Sequence, residues 1–327
     1  MDLSIVIPVY GSAECLEPLI SSIVSTMQPL GTRYEVILVN DNSPDSSWDV
    51  ISALCRSDPR IIGLDLRKNF GQDTAILTGF RFARGALVAV MDDDLQHDPA
   101  DLPRLMRALQ EKRADVVYAT FPVKRHKLWK NIGSRFNDLF AQWVVGKPKG
   151  LYMSPYKILR RDIVELIRFY EGPEPYIDGL IFQVTSRVAQ IRANHNVRFA
   201  GRSNFTFAKS VATWARLAFS FSVSPLRIVT ALGFFLASIG LILTALVAAY
   251  RIFYPSRFNI YEAGWTSLMV ALLLIGGAQM FFLGILGEYV GRTYLAASRK
   301  PQTAIAKTIN AGEATPTGDS QKSIAEQ

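Results

Sequence analysis

Three consecutive aspartates, in Asp92-Asp93-Asp94-Leu95-Gln96, follow the largely apolar run 86–91. Carboxylates two residues apart, just past a strand end, can turn toward one ligand. Three in a row repel one another unless a cation is present. Hard oxygen ligands with open positions suit Mg²⁺ or Mn²⁺ bridging phosphates. A helix N-terminus also attracts acids. That accounts for Asp98 before Pro99, and accounts poorly for a triplet behind six mostly apolar residues. A second group has the opposite sign. Lys124, Arg125, Lys127, Lys130 and Arg135 form a run with no acid, Ser134 lies inside it, and Arg198 and Arg202 add a later pair. Arg and Lys bind phosphate oxygens and a serine hydroxyl adds a donor, so this group suits an anionic head group.

These residues need elements to hold them. Apolar runs at 3–9, 35–39, 61–66, 87–91 and 116–119 alternate with helix-period segments at 15–27, 46–55, 73–84 and 100–112. Strand–helix–strand at this spacing predicts right-handed βαβ units and a parallel sheet covered on both faces. The strands end in Pro8-Val9-Tyr10, Asn40-Asp41-Asn42-Ser43 and the acidic triplet, and ligands of open α/β sheets bind at the carboxyl ends of strands. Beyond 120 the pattern predicts helices near 130–145, 160–169 and 178–186 and a strand near 188–193. Tyr152, Ser154, Tyr156 and Asp178 are open to two readings, a sugar pocket or loop packing.

The chain has 327 residues, with 36 Lys+Arg against 28 Asp+Glu for a net charge of +8. At 49% hydrophobic and 20% charged, it is too apolar for a disordered chain and too charged for one that is mostly membrane. Residues 228–250 and 263–287 carry no charge, and each is long enough to cross ~30 Å of hydrocarbon. Before them, Phe207, Val211, Trp214 and Phe221 recur at helical spacing, with Lys209 and Arg216 on another face, the pattern of an interfacial helix. The expected organisation is a head at 1–203, a juxtamembrane amphipathic helix at 204–227, a transmembrane hairpin within 228–287 and a largely disordered tail at 288–327. Two cysteines give no disulfide framework. The absence of a signal-like N-terminus and the basic flanks of the hairpin place the head in the cytosol, at the inner membrane. Basic clusters beside membrane segments argue against nucleic acid as a partner.

Ser4-Ile5-Val6-Ile7-Pro8-Val9-Tyr10, Val39-Asn40-Asp41-Asn42-Ser43-Pro44-Asp45, Arg67-Lys68-Asn69-Phe70-Gly71-Gln72 and Met91-Asp92-Asp93-Asp94-Leu95-Gln96-His97 together resemble glycosyltransferase family 2. More narrowly they resemble its polyprenyl-phosphate glycosyltransferases, and the likeness continues through Gly201-Arg202-Ser203 and Ser224-Pro225-Leu226-Arg227 into the apolar spans. The resemblance implies a GT-A α/β fold, a nucleotide-sugar donor, Mg²⁺ or Mn²⁺ as cofactor, a polyprenyl phosphate acceptor drawn from the membrane, and a homo-oligomer such as a tetramer. Carried over by motif, Pro8, Tyr10 and Asp41 line the nucleoside pocket, Arg67 lies near the donor, and Asp92 and Asp94 handle donor and metal with Gln96 completing the coordination. Asp93 belongs to the donor loop without acting as a base, and Arg202 joins Asp92 and Asp94 in catalysis. Lys124, Arg125, Lys130, Ser134, Arg135 and Arg198 form the acceptor-phosphate group. Relatives often carry an arginine directly after the strand at 116–120, where this chain has Thr120-Phe121-Pro122, so Lys124 and Arg125 must substitute.

A lipid monophosphate is already anionic at neutral pH and needs no general base. The expected reaction is one inverting displacement, producing a lipid-linked sugar for surface glycans. A processive polysaccharide synthase of the same superfamily is the nearest alternative; it lacks support in a Gln-x-x-Arg-Trp element or a larger membrane channel. A non-enzymatic anchored nucleotide-sugar or lipid binder is the other.

Overall fold

The computed structural model describes residues 1–121, 142, 145–172, 175–194, 224–253, 264–298 and 303–312. The chain divides into two compact units, Met1–Thr206 together with Arg299–Gln327, and Phe207–Ser298.

The first unit is built on one eight-stranded sheet. In chain order the strands are β1 (Leu3–Val9), β2 (Tyr34–Asn40), β3 (Ile61–Leu66), β4 (Leu87–Val90), β5 (Val116–Thr120), β6 (Lys157–Arg160), β7 (Val188–Arg192) and β8 (Ile305–Ile309). Their order across the sheet is β7-β5-β6-β4-β1-β2-β3-β8. Strands β1 and β2 are buried at every position, as expected of central parallel strands covered on both faces. Two of their polar residues are paired with each other: Ser4 Oγ donates to Glu35 Oε1 at 2.6 Å, and Arg84 closes on Glu35 at 2.6 Å.

Helices α1 (Ala13–Met27), α2 (Ser47–Ser57), α3 (Gln72–Phe82) and α4 (Leu102–Glu111) connect or flank the first five strands. Helix α1 shows why the helical period was legible. Leu16, Leu19, Ile20 and Ile23 fall on one buried face, and each contributes roughly 1.5–3 kcal/mol on burial. Helix α3 lies so close to the sheet that a Cβ on Gly79 would stand 2.4 Å from Val6 Cγ1. Helices α5 (Arg161–Ile167) and α6 (Ile177–Val184) follow, close to the expected positions. The expected helix near 130–145 lies almost wholly outside the described residues, and the interfacial segment at 204–221 lies outside them entirely.

Two expectations are corrected. The sheet is mixed, not parallel. Strand β6 inserts antiparallel between β4 and β5. Its Lys-Ile-Leu-Arg sequence is short and begins with a charge, which hid it inside a segment read as loop. The polar tail is not wholly unstructured either. Strand β8 pairs antiparallel with β3 from Gly63↔Ile309 to Leu66↔Ile305, and the Arg67 N–H donates to the Ala304 carbonyl at 2.8 Å. Beyond the strand, Asn310 Nδ2 donates to the carbonyls of Cys55 and Ile61 at 2.6 and 2.9 Å. The strand's side chains are mostly exposed, so hydropathy carries no trace of it; backbone bonds hold it.

A chain ending at residue 302 is therefore expected to lose about 2 kcal/mol of stability from the missing backbone and Asn310 bonds. It is also expected to self-associate through the bared edge of β3. Thermal unfolding with size-exclusion chromatography checks both, and an unchanged midpoint in a monodisperse sample would count against the pairing.

In the second unit, α7 spans Ser224–Phe253 (30 residues) and α8 spans Gly264–Ala297 (34 residues). Among the described residues, Leu274–Ala297 is long and apolar enough to cross a membrane, and α7 carries a shorter apolar stretch at Val229–Ile242. Phe234, Leu241, Met280 and Phe281 are exposed on these helices. The expected boundary at 287 falls inside α8, which continues ten residues further.

Candidate active site

Strands β4, β1, β2 and β3 are parallel neighbours, and the chain reverses its direction of travel across the sheet between β1 and β4. Adjacent loops diverge at such a switch point and leave a crevice at the carboxyl ends. A cavity of about 310 Å³ lies at these ends, lined by Pro8, Val9, Tyr10, Asp41, Asn69, Gly71, Gln72, Asp92, Asp93 and Asp94. The fold thus brings together Pro8, Tyr10, Asp41 and all three aspartates of the triplet, which are separated by up to 86 positions in sequence.

Each wall has its own support. After β2, Asp41 accepts the Phe70 N–H on Oδ1 at 2.7 Å and the Gly71 N–H on Oδ2 at 2.8 Å. Its carboxylate shapes the β3–α3 turn, in which Gly71 takes a φ of +91° that favours glycine. Asn40 donates through Nδ2 to Asp65 Oδ1 at 2.8 Å. A carboxylate at 40 would instead face that of Asp65.

The acidic loop is held from several directions. Asp92 Oδ1 accepts from Gln72 Nε2 at 2.7 Å, and the Asp92 N–H donates to His97 Nδ1 at 3.1 Å. The His97 ring is stacked between Phe121 and Tyr156, with centroids 5.5 and 5.1 Å away. Asp93 Oδ2 accepts from the Tyr10 N–H at 3.1 Å and from Ser12 Oγ. Asp94 Oδ1 accepts the Gln96 N–H at 3.1 Å, across a turn in which Leu95 has φ +62°. Burial, then the neighbouring Asp94 and Asp93, push Asp92 up to about 7, against the pull of Lys157 and Gln72. Burial also raises Asp93, while its bonds to Ser12 and Tyr10 oppose the rise.

Behind this loop lies a buried polar cluster. Lys157, in register with Val90 at the end of β4, pairs with Asp178, and Tyr118 Oη donates to the same carboxylate at 2.9 Å. Asp73, raised to about 6 chiefly by burial, accepts the Ile177 N–H at 3.1 Å. The middle-region residues contribute as follows. Ser154 and Tyr156 are buried, with Ser154 Oγ accepting the Tyr156 N–H and Tyr156 Oη donating to the Asp98 carbonyl. Asp178 belongs to the Lys157 pair, and none of Tyr152, Ser154, Tyr156 and Asp178 lines the cavity.

Two donor-side assignments fall away from the cavity. Arg67 is exposed and does not line it, and its backbone is spent on Ala304. Gln96 does not line it either; its backbone N–H, not its side chain, reaches Asp94. Lys124, Arg125, Lys130, Ser134, Arg135, Arg198 and Arg202 lie outside the described residues. Sequence reasoning missed the supporting roles of Gln72, His97 and Lys157. The positions of Gln72 and His97 at the ends of two motifs were the signals available; Lys157 had none.

The donor set fits a divalent cation shared with a substrate. Among the described residues no group of three or more His, Cys, Asp and Glu side chains is arranged to enclose a metal ion. Burial, and then the like charge of Asp94 on the same wall, raise Asp92. Mg²⁺ is typically held by one or two carboxylates plus substrate phosphates, not by an all-protein cage.

The chain has a GT-A-like α/β fold, with an aspartate-walled cavity at the switch point of its sheet. The family model "Glycosyl transferase family 2" matches residues 4–168, half of the chain. The chain belongs to glycosyltransferase family 2 and is a glycosyltransferase. It is similar over its length to "Undecaprenyl-phosphate 4-deoxy-4-formamido-L-arabinose transferase" of Yersinia pestis, at 30% identity covering 98% of this chain and 97% of that protein. The same figures hold for the Yersinia pseudotuberculosis protein of that name. Among solved structures, glucosyl-3-phosphoglycerate synthase from Mycobacterium tuberculosis, crystallised with Mn²⁺, UDP and phosphoglyceric acid, is 14% identical. It covers 67% of this chain and 76% of that one with a TM-score of 0.49.

Proposed function

We propose that this protein transfers a sugar from a nucleotide-sugar to a polyprenyl phosphate, undecaprenyl phosphate in particular, with inversion, at the cytosolic face of the inner membrane. The product is a polyprenyl-phosphate-linked sugar that feeds modification of surface glycans. The observation that carries this reading is the cavity itself, in which Pro8, Tyr10 and Asp41 meet Asp92, Asp93 and Asp94. It occurs in a chain similar from end to end to transferases whose name specifies that acceptor. Helix α8, long and apolar enough to cross a membrane, supports access to a lipid substrate.

In this reading Pro8 and Tyr10 flank the nucleoside, and Asp41 both shapes the β3–α3 wall and offers its remaining lone pairs to the base. Asp92 and Asp94 would hold Mg²⁺ or Mn²⁺, which when bound would supply neutralising charge for the departing nucleoside diphosphate. An acceptor phosphate oxygen forms a bond to the anomeric carbon as the bond from that carbon to the diphosphate oxygen breaks. The acceptor is already ionised, so no side chain need remove a proton, and catalysis rests on positioning and charge. Lys124, Arg125, Lys130, Ser134, Arg135, Arg198 and Arg202 are proposed for the acceptor phosphate from their sequence alone, with Arg202 nearest the chemistry. A homo-oligomer is proposed on the same footing.

The test incubates detergent-purified full-length protein with undecaprenyl phosphate, Mg²⁺ or Mn²⁺, and a panel of UDP-, GDP- and dTDP-sugars that includes nucleotide-linked 4-deoxy-4-formamido-L-arabinose. Mass spectrometry of the lipid fraction is expected to show one lipid-phosphate sugar, lost on chelation of the metal. Folded protein that makes no such lipid from any donor would overturn the proposal.

A further inference from the structure

The loop that follows β1 is tied down in an unusual way. Four consecutive backbone N–H groups each donate to a side chain from elsewhere. Gly11 donates to Ser43 Oγ at 3.2 Å and Ala13 to Asp45 Oδ2 at 3.1 Å, both on the loop after β2, and Ser12 donates to Ser47 Oγ at 3.3 Å, at the start of α2. The fourth, Tyr10, donates at 3.1 Å to Asp93 Oδ2, on the acidic loop 83 positions away. Ser12 Oγ donates to that same oxygen. Tyr10 itself is 56% exposed and lines the cavity, so little packing fixes it from outside. Gly11 next to it has φ +67°, a conformation that glycine adopts readily.

We propose that Asp93 is a positioning residue: one carboxylate oxygen staples the Tyr10–Ser12 loop to the acidic loop, so that the nucleoside wall and the cation-holding wall of the cavity keep a common geometry. The proposal rests on the reading of the cavity as a nucleotide-sugar site. It separates the roles within the triplet. Asp92 and Asp94 are left for the cation, while Asp93 acts through Tyr10 and needs an acceptor oxygen, not a negative charge.

The test follows from that distinction. An asparagine at 93 can place its amide oxygen where Oδ2 stands, whereas alanine removes the acceptor. Full-length Asp93→Asn, Asp93→Ala, Ser12→Ala and Asp94→Asn are compared with the parent protein in detergent, with near-ultraviolet circular dichroism as the check on folding. Hydrogen exchange is read on the peptide spanning residues 9–13. Calorimetry reads binding of UDP, GDP and dTDP in the presence of Mn²⁺. Asp93→Ala removes both bonds to Oδ2, from the Tyr10 N–H and from Ser12 Oγ, and is expected to speed exchange in that peptide and to weaken nucleotide binding by about tenfold or more. Asp93→Asn is expected to stay within about threefold of the parent on both, and Ser12→Ala to fall between. Asp94→Asn is expected to lose Mn²⁺-dependent binding with loop exchange at the parent rate.

Unchanged exchange in Asp93→Ala overturns the proposal, as does an Asp93→Asn variant as impaired as Asp93→Ala. If the parent binds none of the three nucleotides, the reading of the cavity fails, and the exchange comparison still decides whether the staple exists.

Discussion

Asp94→Asn is expected to lower turnover at saturating donor and Mn²⁺ by about 100-fold or more. The substitution keeps shape and an acceptor for the Gln96 N–H, and it removes one of the two wall charges assigned to the cation. Charge stabilisation by a bound metal is worth several kcal/mol to a leaving group, and ~3 kcal/mol is about 100-fold in rate. Raising Mn²⁺ should recover part of the binding and little of the rate. Initial-rate measurement of lipid-linked product across a Mn²⁺ titration checks this. Turnover equal to the parent's would remove Asp94 from the chemistry and favour a role in binding alone.

The second large effect is on stability. Lys157→Met is expected to cost about 3–5 kcal/mol, because it strands a buried carboxylate without its counter-charge. Lys157 is only 3% exposed, lies over the Tyr118 ring at 5.3 Å and pairs with Asp178. With Lys157 gone, Asp178 keeps only the Tyr118 hydroxyl among the partners described for it. A domain stable by roughly 5–15 kcal/mol can lose a third or more of that margin. Lys157→Met/Asp178→Asn should regain most of the loss, since the neutral amide still accepts from Tyr118. Thermal or denaturant unfolding of the three proteins measures it. A neutral single substitution would mean that the pair is not a structural element.

The two effects differ in how far the sequence foretold them. The acidic triplet was legible because its signal is local: a strand-length apolar run, then three like charges at the position where open α/β sheets bind ligands. Pro8, Tyr10 and Asp41 were legible for the same reason, each at the end of a run with strand period. Lys157 was not. A lysine opening a four-residue strand reads as loop, and its burial depends on β6 entering the sheet between two strands that lie 67 and 37 residues upstream of it at their Val90 and Thr120 ends. Arg67 and Gln96, assigned by motif, do not line the cavity, since membership of a motif does not fix where a side chain lies.

The amino-acid pattern alone was enough for the central parallel strands, their covering helices, the long apolar helices and the placing of the acidic triplet at a strand end. Those features follow from periodicity and burial, which neighbouring residues encode. Only the folded chain determined that β6 and β8 run antiparallel, that the polar tail returns to the edge of β3, and that Asp41 and Asp93 spend carboxylate oxygens on distant backbone amides. Such contacts join groups 29 to 255 positions apart. A hydrogen-bond partner that far along the chain leaves no periodic mark on either segment, so it emerges only when the sheet brings the two together.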